Sequence, residues 1–177
     1  MINELWSDRL HILLKEEEIL SRIRIIAKNI ENKYSPYLDK IVILGIMDGC
    51  LPFLYNLIKD INLKLEIKTV KINTYFGQNK VNKCKINMDH DEYFCLHNAR
   101  VIIVDDILDT GETLRGAIDA TTKFAPSSIE TIVLLDKRKT DFCANYTGFK
   151  IKDKFIIGFG LDYKGFYRNL KDIYYME

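Results

Sequence analysis

The chain has 177 residues, 47% of them hydrophobic and 29% charged, with a formal net charge of +1. That length and composition suit one α/β globule with a substantial core, and the near-zero charge excludes a protein held to nucleic acid or to a membrane surface by its overall field. Four cysteines (Cys50, Cys84, Cys95, Cys143) and three histidines (His11, His90, His97) show no metal-ligand spacing, so the cysteines read as free thiols of a reducing compartment.

The N-terminus, "MINELWSDRL", is charged early and lacks a long apolar run. It leads us to expect no signal peptide, no membrane span and a cytoplasmic protein. Residues 16–33 place Ile19, Leu20, Ile23, Ile26 and Ile30 at helical spacing behind a leading run of acids, which suits a helix N-terminus. "IVILGI" (41–46) is a continuous apolar run and predicts a strand buried on both faces. A helix is expected over 51–61 and an alternating strand over 65–73. The polar segment 75–98 has little periodicity and reads as a hairpin or a long functional lid. Then come a buried strand over 100–106, a helix over 112–124 that stops before Pro126, and strands over 129–138 and 154–160. Strands alternating with helices, without a linker or repeat, imply one domain with a parallel sheet flanked by helices.

The most informative stretch is "VIIVDDILDTGETL", 101–114. A buried strand runs into Asp105 and Asp106. Asp109 follows, and then Thr110-Gly111-Glu112-Thr113 opens a helix. Ligands of open parallel sheets sit beyond the carboxyl ends of strands. The first turn of a helix offers unpaired N–H groups and the positive end of a dipole, a ready phosphate cradle. Gly111 lets backbone approach the ligand closely, and Thr110 and Thr113 add hydroxyls. Two acids suit sugar hydroxyls, directly or through Mg²⁺, and Asp109 is placed to take a proton. Any one of these residues alone would read as a helix cap or a solvated strand end.

The whole run resembles the phosphoribosyl pyrophosphate signature of the type I phosphoribosyltransferase family. The resemblance implies a parallel sheet core flanked by helices, a small hood and a mobile active-site loop. It places the core at about 35–150 and the hood in the N-terminal segment and about 151–177, all one domain over 1–177. It also implies transfer of ribose 5-phosphate to a nitrogen with loss of pyrophosphate, Mg²⁺ as cofactor held by Asp105, Asp106 and Asp162, and a homodimer or homotetramer.

Two further segments are similar to the hypoxanthine-guanine branch of that family. In "LLDKRKT" (134–140), Lys137 stands where a lysine meets the 6-oxo group of a purine. An ammonium favours a carbonyl oxygen over a 6-amino group, so a 6-oxopurine is expected over adenine. In "DKFIIGFGLDYKGFYRNL" (153–170) the resemblance makes Phe155 a stacking platform and has Ile156 offer backbone groups to the base. Asp162 becomes a group serving both base and metal, and Arg168 a pyrophosphate ligand, a role that suits a guanidinium. "NTYFG" (73–77) is similar to the start of the family's closing loop, with Thr74 and Tyr75 as its leading residues; closure there would exclude water.

One departure stands out. The family often has Leu-Lys-Gly after the first core strand, and this chain has Met47-Asp48-Gly49. The resemblance assigns Asp48 and Gly49 to pyrophosphate through their backbone, with a cis Met47–Asp48 bond and the Asp48 side chain expected to turn away, a neighbouring subunit being its candidate partner. A nucleotide-sensing or RNA-binding protein on the same fold is the competing class, and an enzyme for another base the second alternative. The preference among hypoxanthine, guanine and xanthine is open at this stage.

Overall fold

The computed structural model describes residues 10–37, 39–75, 83–86 and 88–176. The first core strand, β2 (Ile41–Met47), is almost wholly buried because apolar residues point to both faces. Ile41 and Ile43 join one cluster, while Val42, Leu44 and Ile46 join the other. Such a strand is stable only in the middle of a covered sheet. It pairs in parallel with β3 (Leu65–Tyr75) on one side and with β5 (Arg100–Leu108) on the other. Beyond β5 lie β6 (Ser128–Asp136) and β7 (Tyr146–Lys150), also parallel. β4 (Lys83–Ile86) closes the opposite edge antiparallel to β3, giving the order β4-β3-β2-β5-β6-β7.

The strand order reverses between β2 and β5. Connections leave the two strands toward opposite edges, and a crevice opens at their carboxyl ends. Met47 ends β2 there, and Asp105 through Leu108 end β5.

Helices cover both faces. α1 (Glu16–Tyr34) buries Ile19, Ile23, Ile26, Ala27, Ile30 and Tyr34 on one side. Its first turn carries Glu16, Glu17 and Glu18, and the Glu18 carboxylate accepts from the Lys15 N–H at 2.9 Å. α2 (Leu51–Ile58) has Pro52 in its first turn, where a missing N–H costs nothing, and packs into the same cluster. α3 (His90–Tyr93) is a single turn capped by the Asp89 carboxylate. α4 (Glu112–Thr122) buries Leu114, Ala117, Ala120 and Thr121. No helix among the described residues is long and apolar enough to cross a membrane.

A second, three-stranded sheet is built from the two ends of the chain: β1 (Leu10–Leu14), β9 (Ile173–Met176) and β8 (Phe155–Ile157), all antiparallel. Short β1, β7 and β9 carry no strong sequence pattern and exist through their pairing. The strand expected over 154–160 stops at Ile157 because Gly158, Phe159 and Gly160 all have positive φ (94°, 47° and 97°), which a strand cannot continue. The strand expected to reach residue 138 stops at Asp136. There the Asp136 carboxylate accepts from the Arg138 N–H at 2.8 Å, and Arg138 turns to φ 56°.

The expected lid over 75–98 is shorter on its C-terminal side. Tyr93 and Leu96 are buried in the cluster under β2 and β5, and the Tyr93 hydroxyl donates to the Thr69 carbonyl at 2.6 Å. The remainder of that span, 76–82 and 87, lies outside the described residues.

Candidate active site

A cavity of about 360 Å³ occupies the crevice where β2 and β5 diverge. Its floor is the end of β5. Asp105 is 5% exposed, and its carboxylate accepts from the Asp106 backbone N–H at 3.0 Å. Burial pushes the Asp105 carboxyl well above the usual carboxylate range, and the adjacent Asp106 charge pushes it further. Asp106 is raised as well, chiefly by burial, with its hydrogen bond to Asp105 and the Arg168 guanidinium working in the opposite sense. This is a costly way to end a strand, and a cation placed beside the pair would relieve it.

Asp109, Thr110, Gly111 and Thr113 form one wall. Gly111 is the residue just before α4, at φ 81°, a conformation glycine adopts without penalty. It aims the first turn of α4 at the cavity. Glu112 sits in that turn, outside the lining.

The opposite wall is the turn after β2, where the Met47–Asp48 peptide is cis, as the family resemblance implied. A Cβ on Gly49 would collide with the Asp106 carboxylate, so only glycine lets this turn lie against the acid pair. The Asp48 side chain points to β3, where its Oδ1 lies 3.3 Å from Lys71 Nζ. The β2–β3 register, with Met47 opposite Lys71, creates that pair within the chain itself. The expectation that Asp48 would turn away is met by an intrachain partner.

Asp162 and Arg168 complete the lining. Arg168 donates to the Gly160 carbonyl at 2.6 Å and to Asp162 Oδ1 at 2.7 Å. The other Asp162 oxygen accepts from the Gly165 N–H at 2.7 Å. Both Asp162 oxygens are therefore engaged, and an ion could reach this carboxylate only by way of its water shell or by displacing a partner.

Five aspartates (Asp48, Asp105, Asp106, Asp109, Asp162) and one arginine contribute to the lining, Asp48 with its carboxylate turned to Lys71. Such a set does not attract a phosphate ester by itself. It fits one that arrives with divalent cations. Mg²⁺ commonly binds through one or two carboxylates plus the ligand's own oxygens. No group of three or more ligating side chains that could hold a metal ion is found among the described residues.

Lys137 lies just past β6. Its backbone N–H donates to the Leu108 carbonyl at 3.0 Å, which ties the two strand ends together. Its side chain is only 11% exposed, and Nζ lies 3.1 Å from Asp109 Oδ2. The residues expected to hold a base and to accept its proton are thus joined. Phe155 is 48% exposed and its ring stands perpendicular to that of Tyr163, centroids 5.6 Å apart. Ile156 beside it is buried. Thr74 and Tyr75 end β3; their backbones pair with Cys84 and Lys83, and their side chains lie outside what is described.

Sequence reasoning missed three groups here. Lys71 belongs to an alternating strand and shows no motif. Lys139 and Asp153 both approach Asp109 or its partner, as described below, but they are 14 positions apart in the sequence. The apolar lining (Ile46, Ile72, Ile107, Leu108, Leu114, Leu161) is ordinary core in the sequence.

A family model described as a phosphoribosyl transferase domain matches residues 11–164. The chain is 35% identical over 179 residues to a hypoxanthine-guanine phosphoribosyltransferase of Aquifex aeolicus (strain VF5), covering 99% of each. It is 32% identical over 162 residues to the Bacillus subtilis (strain 168) protein of that name, covering 90% of this chain and 88% of that one. A solved hypoxanthine phosphoribosyltransferase from Staphylococcus aureus matches with a TM-score of 0.86 and 32% identity, covering 100% of this chain and 97% of that one.

Proposed function

The chain belongs to the hypoxanthine-guanine phosphoribosyltransferase family, and from that premise we propose a purine-salvage enzyme working through the site above. It transfers the 5-phosphoribosyl group of phosphoribosyl pyrophosphate to N9 of hypoxanthine or guanine, giving IMP or GMP and pyrophosphate. The observation that carries this reading is the meeting of two half-sites: a polyanion cavity at the end of β5 and a paired Lys137–Asp109 at its rim, 3.1 Å apart.

In this reading the first turn of α4 and the hydroxyls of Thr110 and Thr113 hold the 5-phosphate. Asp105 and Asp106 hold the ribose hydroxyls. Asp105, Asp106 and Asp162 would hold Mg²⁺, which would supply charge neutralisation for pyrophosphate. Arg168 and the Asp48–Gly49 backbone take the departing group. Phe155 stacks on the purine while the Ile156 backbone meets its edge. Lys137 donates to the 6-oxo oxygen, turning N7–H toward the Asp109 carboxylate. As the C1–O bond to pyrophosphate breaks, N9 attacks C1 and the Asp109 carboxylate accepts the N7 proton. Positioning and charge neutralisation do most of the work. Thr74 and Tyr75 lead the loop that excludes water during the transfer.

The same reading treats 1–177 as one domain, with a core at about 35–150 and a hood from the N-terminal segment and 151–177. The three-stranded sheet made by the chain ends supports that division. It also takes the protein as cytoplasmic and as a homodimer or homotetramer. The direct test is an absorbance assay with Mg²⁺, phosphoribosyl pyrophosphate and, in turn, hypoxanthine, guanine, xanthine, adenine and uracil. Turnover of hypoxanthine or guanine, lost on chelation, is expected. Tight nucleotide binding without turnover of any base would turn the reading to the nucleotide-sensing class.

A further inference from the structure

Four side chains of alternating sign close a ring at the rim of the cavity. Lys137 Nζ lies 3.1 Å from Asp109 Oδ2 and 3.6 Å from Asp153 Oδ1. Lys139 Nζ lies 3.2 Å from Asp109 Oδ1 and 2.7 Å from the same Asp153 oxygen. The turn after β6 makes this possible. Arg138, between the two lysines, is held at φ 56° with its N–H on the Asp136 carboxylate, so Lys137 and Lys139 both reach the same two acids.

An isolated surface ion pair contributes little, and Lys139 taken alone would be one more solvated cation. Its position relative to the transfer changes that. Lys137 and Asp109 are paired in the structure, yet each has to serve the purine: the ammonium its 6-oxo oxygen, the carboxylate its N7–H. Binding the base parts them. Lys137 is almost enclosed, so its withdrawal takes an ammonium at short range from Asp109; water can reach part of this 40% exposed carboxylate but not its buried Oδ1, the oxygen that Lys139 faces. We propose that Lys139, anchored by Asp153, is a positioning residue that keeps Asp109 in place and neutralised while Lys137 is handed to the purine. The inference rests on the transfer reading above.

The direction of the ionic shifts agrees with a tight Lys139–Asp153 anchor. The hydrogen bond to Asp153 raises the Lys139 ammonium above its usual range, and the same bond lowers the Asp153 carboxyl. Without Lys139, two carboxylates share Lys137 alone, and the purine has to compete with both for it.

The test is steady-state kinetics on the full-length wild type, Lys139→Ala, Lys139→Arg and Asp153→Asn, varying hypoxanthine and phosphoribosyl pyrophosphate separately. For Lys139→Ala the hypoxanthine KM is expected to rise about tenfold, a difference of ~1.4 kcal/mol. The phosphoribosyl pyrophosphate KM should stay within about twofold, and Lys139→Arg should recover most of the loss. Asp153→Asn, which loosens the anchor, should fall between wild type and Lys139→Ala. An unchanged hypoxanthine KM in Lys139→Ala, or an equal rise in both KM values, overturns the inference while the enzyme reading survives. A wild type inactive on every base removes the transfer reading and the inference with it.

Discussion

The ends of β5 and β6 are neighbours in the sheet, and they handle charge in opposite ways. At the end of β5, Asp105 and Asp106 are packed side by side, with the Arg168 guanidinium acting on Asp106, and both carboxyls are pushed upward by burial. At the end of β6, Lys137 and Lys139 face Asp109 and Asp153, and the charges cancel within the ring. The first region is unstable as it stands and is completed by what it binds. The second is complete as it stands and has to be opened. A half-site for a metal-bearing polyanion and a half-site for a neutral base would be expected to differ in this way. The contrast bears on why the acid pair is tolerable: under the proposed function, its cost would be recovered when cations bind.

The contrast can be broken from either side. The largest effect should come from withdrawing the cations that the first region lacks. Chelation of Mg²⁺ is expected to abolish transfer, with recovery on re-addition, followed by the same absorbance assay. Persistent turnover in excess chelator would show that Arg168 and the α4 turn suffice for the polyanion. Next in size is Asp109→Asn. It keeps the shape and one acceptor while removing the negative charge, so turnover should drop by about 10²–10⁴-fold, the usual scale for a general base. Affinity for the product nucleotide should change far less. Equal losses in both would place Asp109 in binding rather than in proton transfer.

A subtler prediction concerns stability. The Asp105 carboxyl titrates above its ordinary value when folded, so the folded state holds its proton more tightly than the unfolded chain does. Stability on this account is greatest below the ordinary carboxylate pKa of about 3.9 and is lost as pH rises toward the raised value, by about 1.4 kcal/mol for each unit of separation. Asp105→Asn removes that loss and still accepts the Asp106 N–H bond. At pH 7, without ligand, the variant should melt above wild type, by about 2–4 °C for each kcal/mol recovered in a chain of this size. The gap should close near pH 4. Mg²⁺ with phosphoribosyl pyrophosphate should raise the wild-type melting temperature and leave the variant nearly unmoved. A variant less stable at pH 7 would mean that the buried carboxylate is already compensated by a partner in the free protein.

How much of this was visible in the sequence follows the same division. The β5 end was legible because its signal is local: a buried strand, an acid pair and a Gly-containing helix start lie within 14 consecutive residues. Lys137 and Arg168 were legible through resemblance, since a lone lysine or arginine at a strand end carries no information. The ring around Asp109 was not legible as a ring. It depends on where β6 stops and on the φ of Arg138, and neither leaves a trace in residue type. The short strands β1, β7 and β9 escaped for a related reason, because each is stabilised by its neighbour rather than by its own pattern. The Asp48–Lys71 pair likewise depends on register, since Lys71 reaches the loop only because Met47 and Lys71 sit opposite each other across β2 and β3.

That last pair gives the smallest and sharpest test of the contrast. Replacing the family's frequent lysine by Asp48 adds a fifth carboxylate to a cavity meant for an anion. Lys71 offsets it from the next strand. Both groups are exposed, 72% for the lysine and 59% for the aspartate, so the pair itself should matter little to folding. Its effect should appear in anion binding. Lys71→Ala leaves Asp48 unmasked beside the pyrophosphate backbone loop, and the phosphoribosyl pyrophosphate KM should rise about three- to fivefold, on the scale of an exposed charge contact of ~1 kcal/mol. The hypoxanthine KM should hold. Adding Asp48→Asn to Lys71→Ala should restore most of the loss, because the repulsion disappears with the carboxylate. A double variant as weak as Lys71→Ala would mean that the lysine contacts the anion itself. An unaffected Lys71→Ala would mean that Asp48 does not sense the ligand, and the negative charge that the substrate meets in the cavity would come from the other aspartates of the lining, the acid pair on β5 among them.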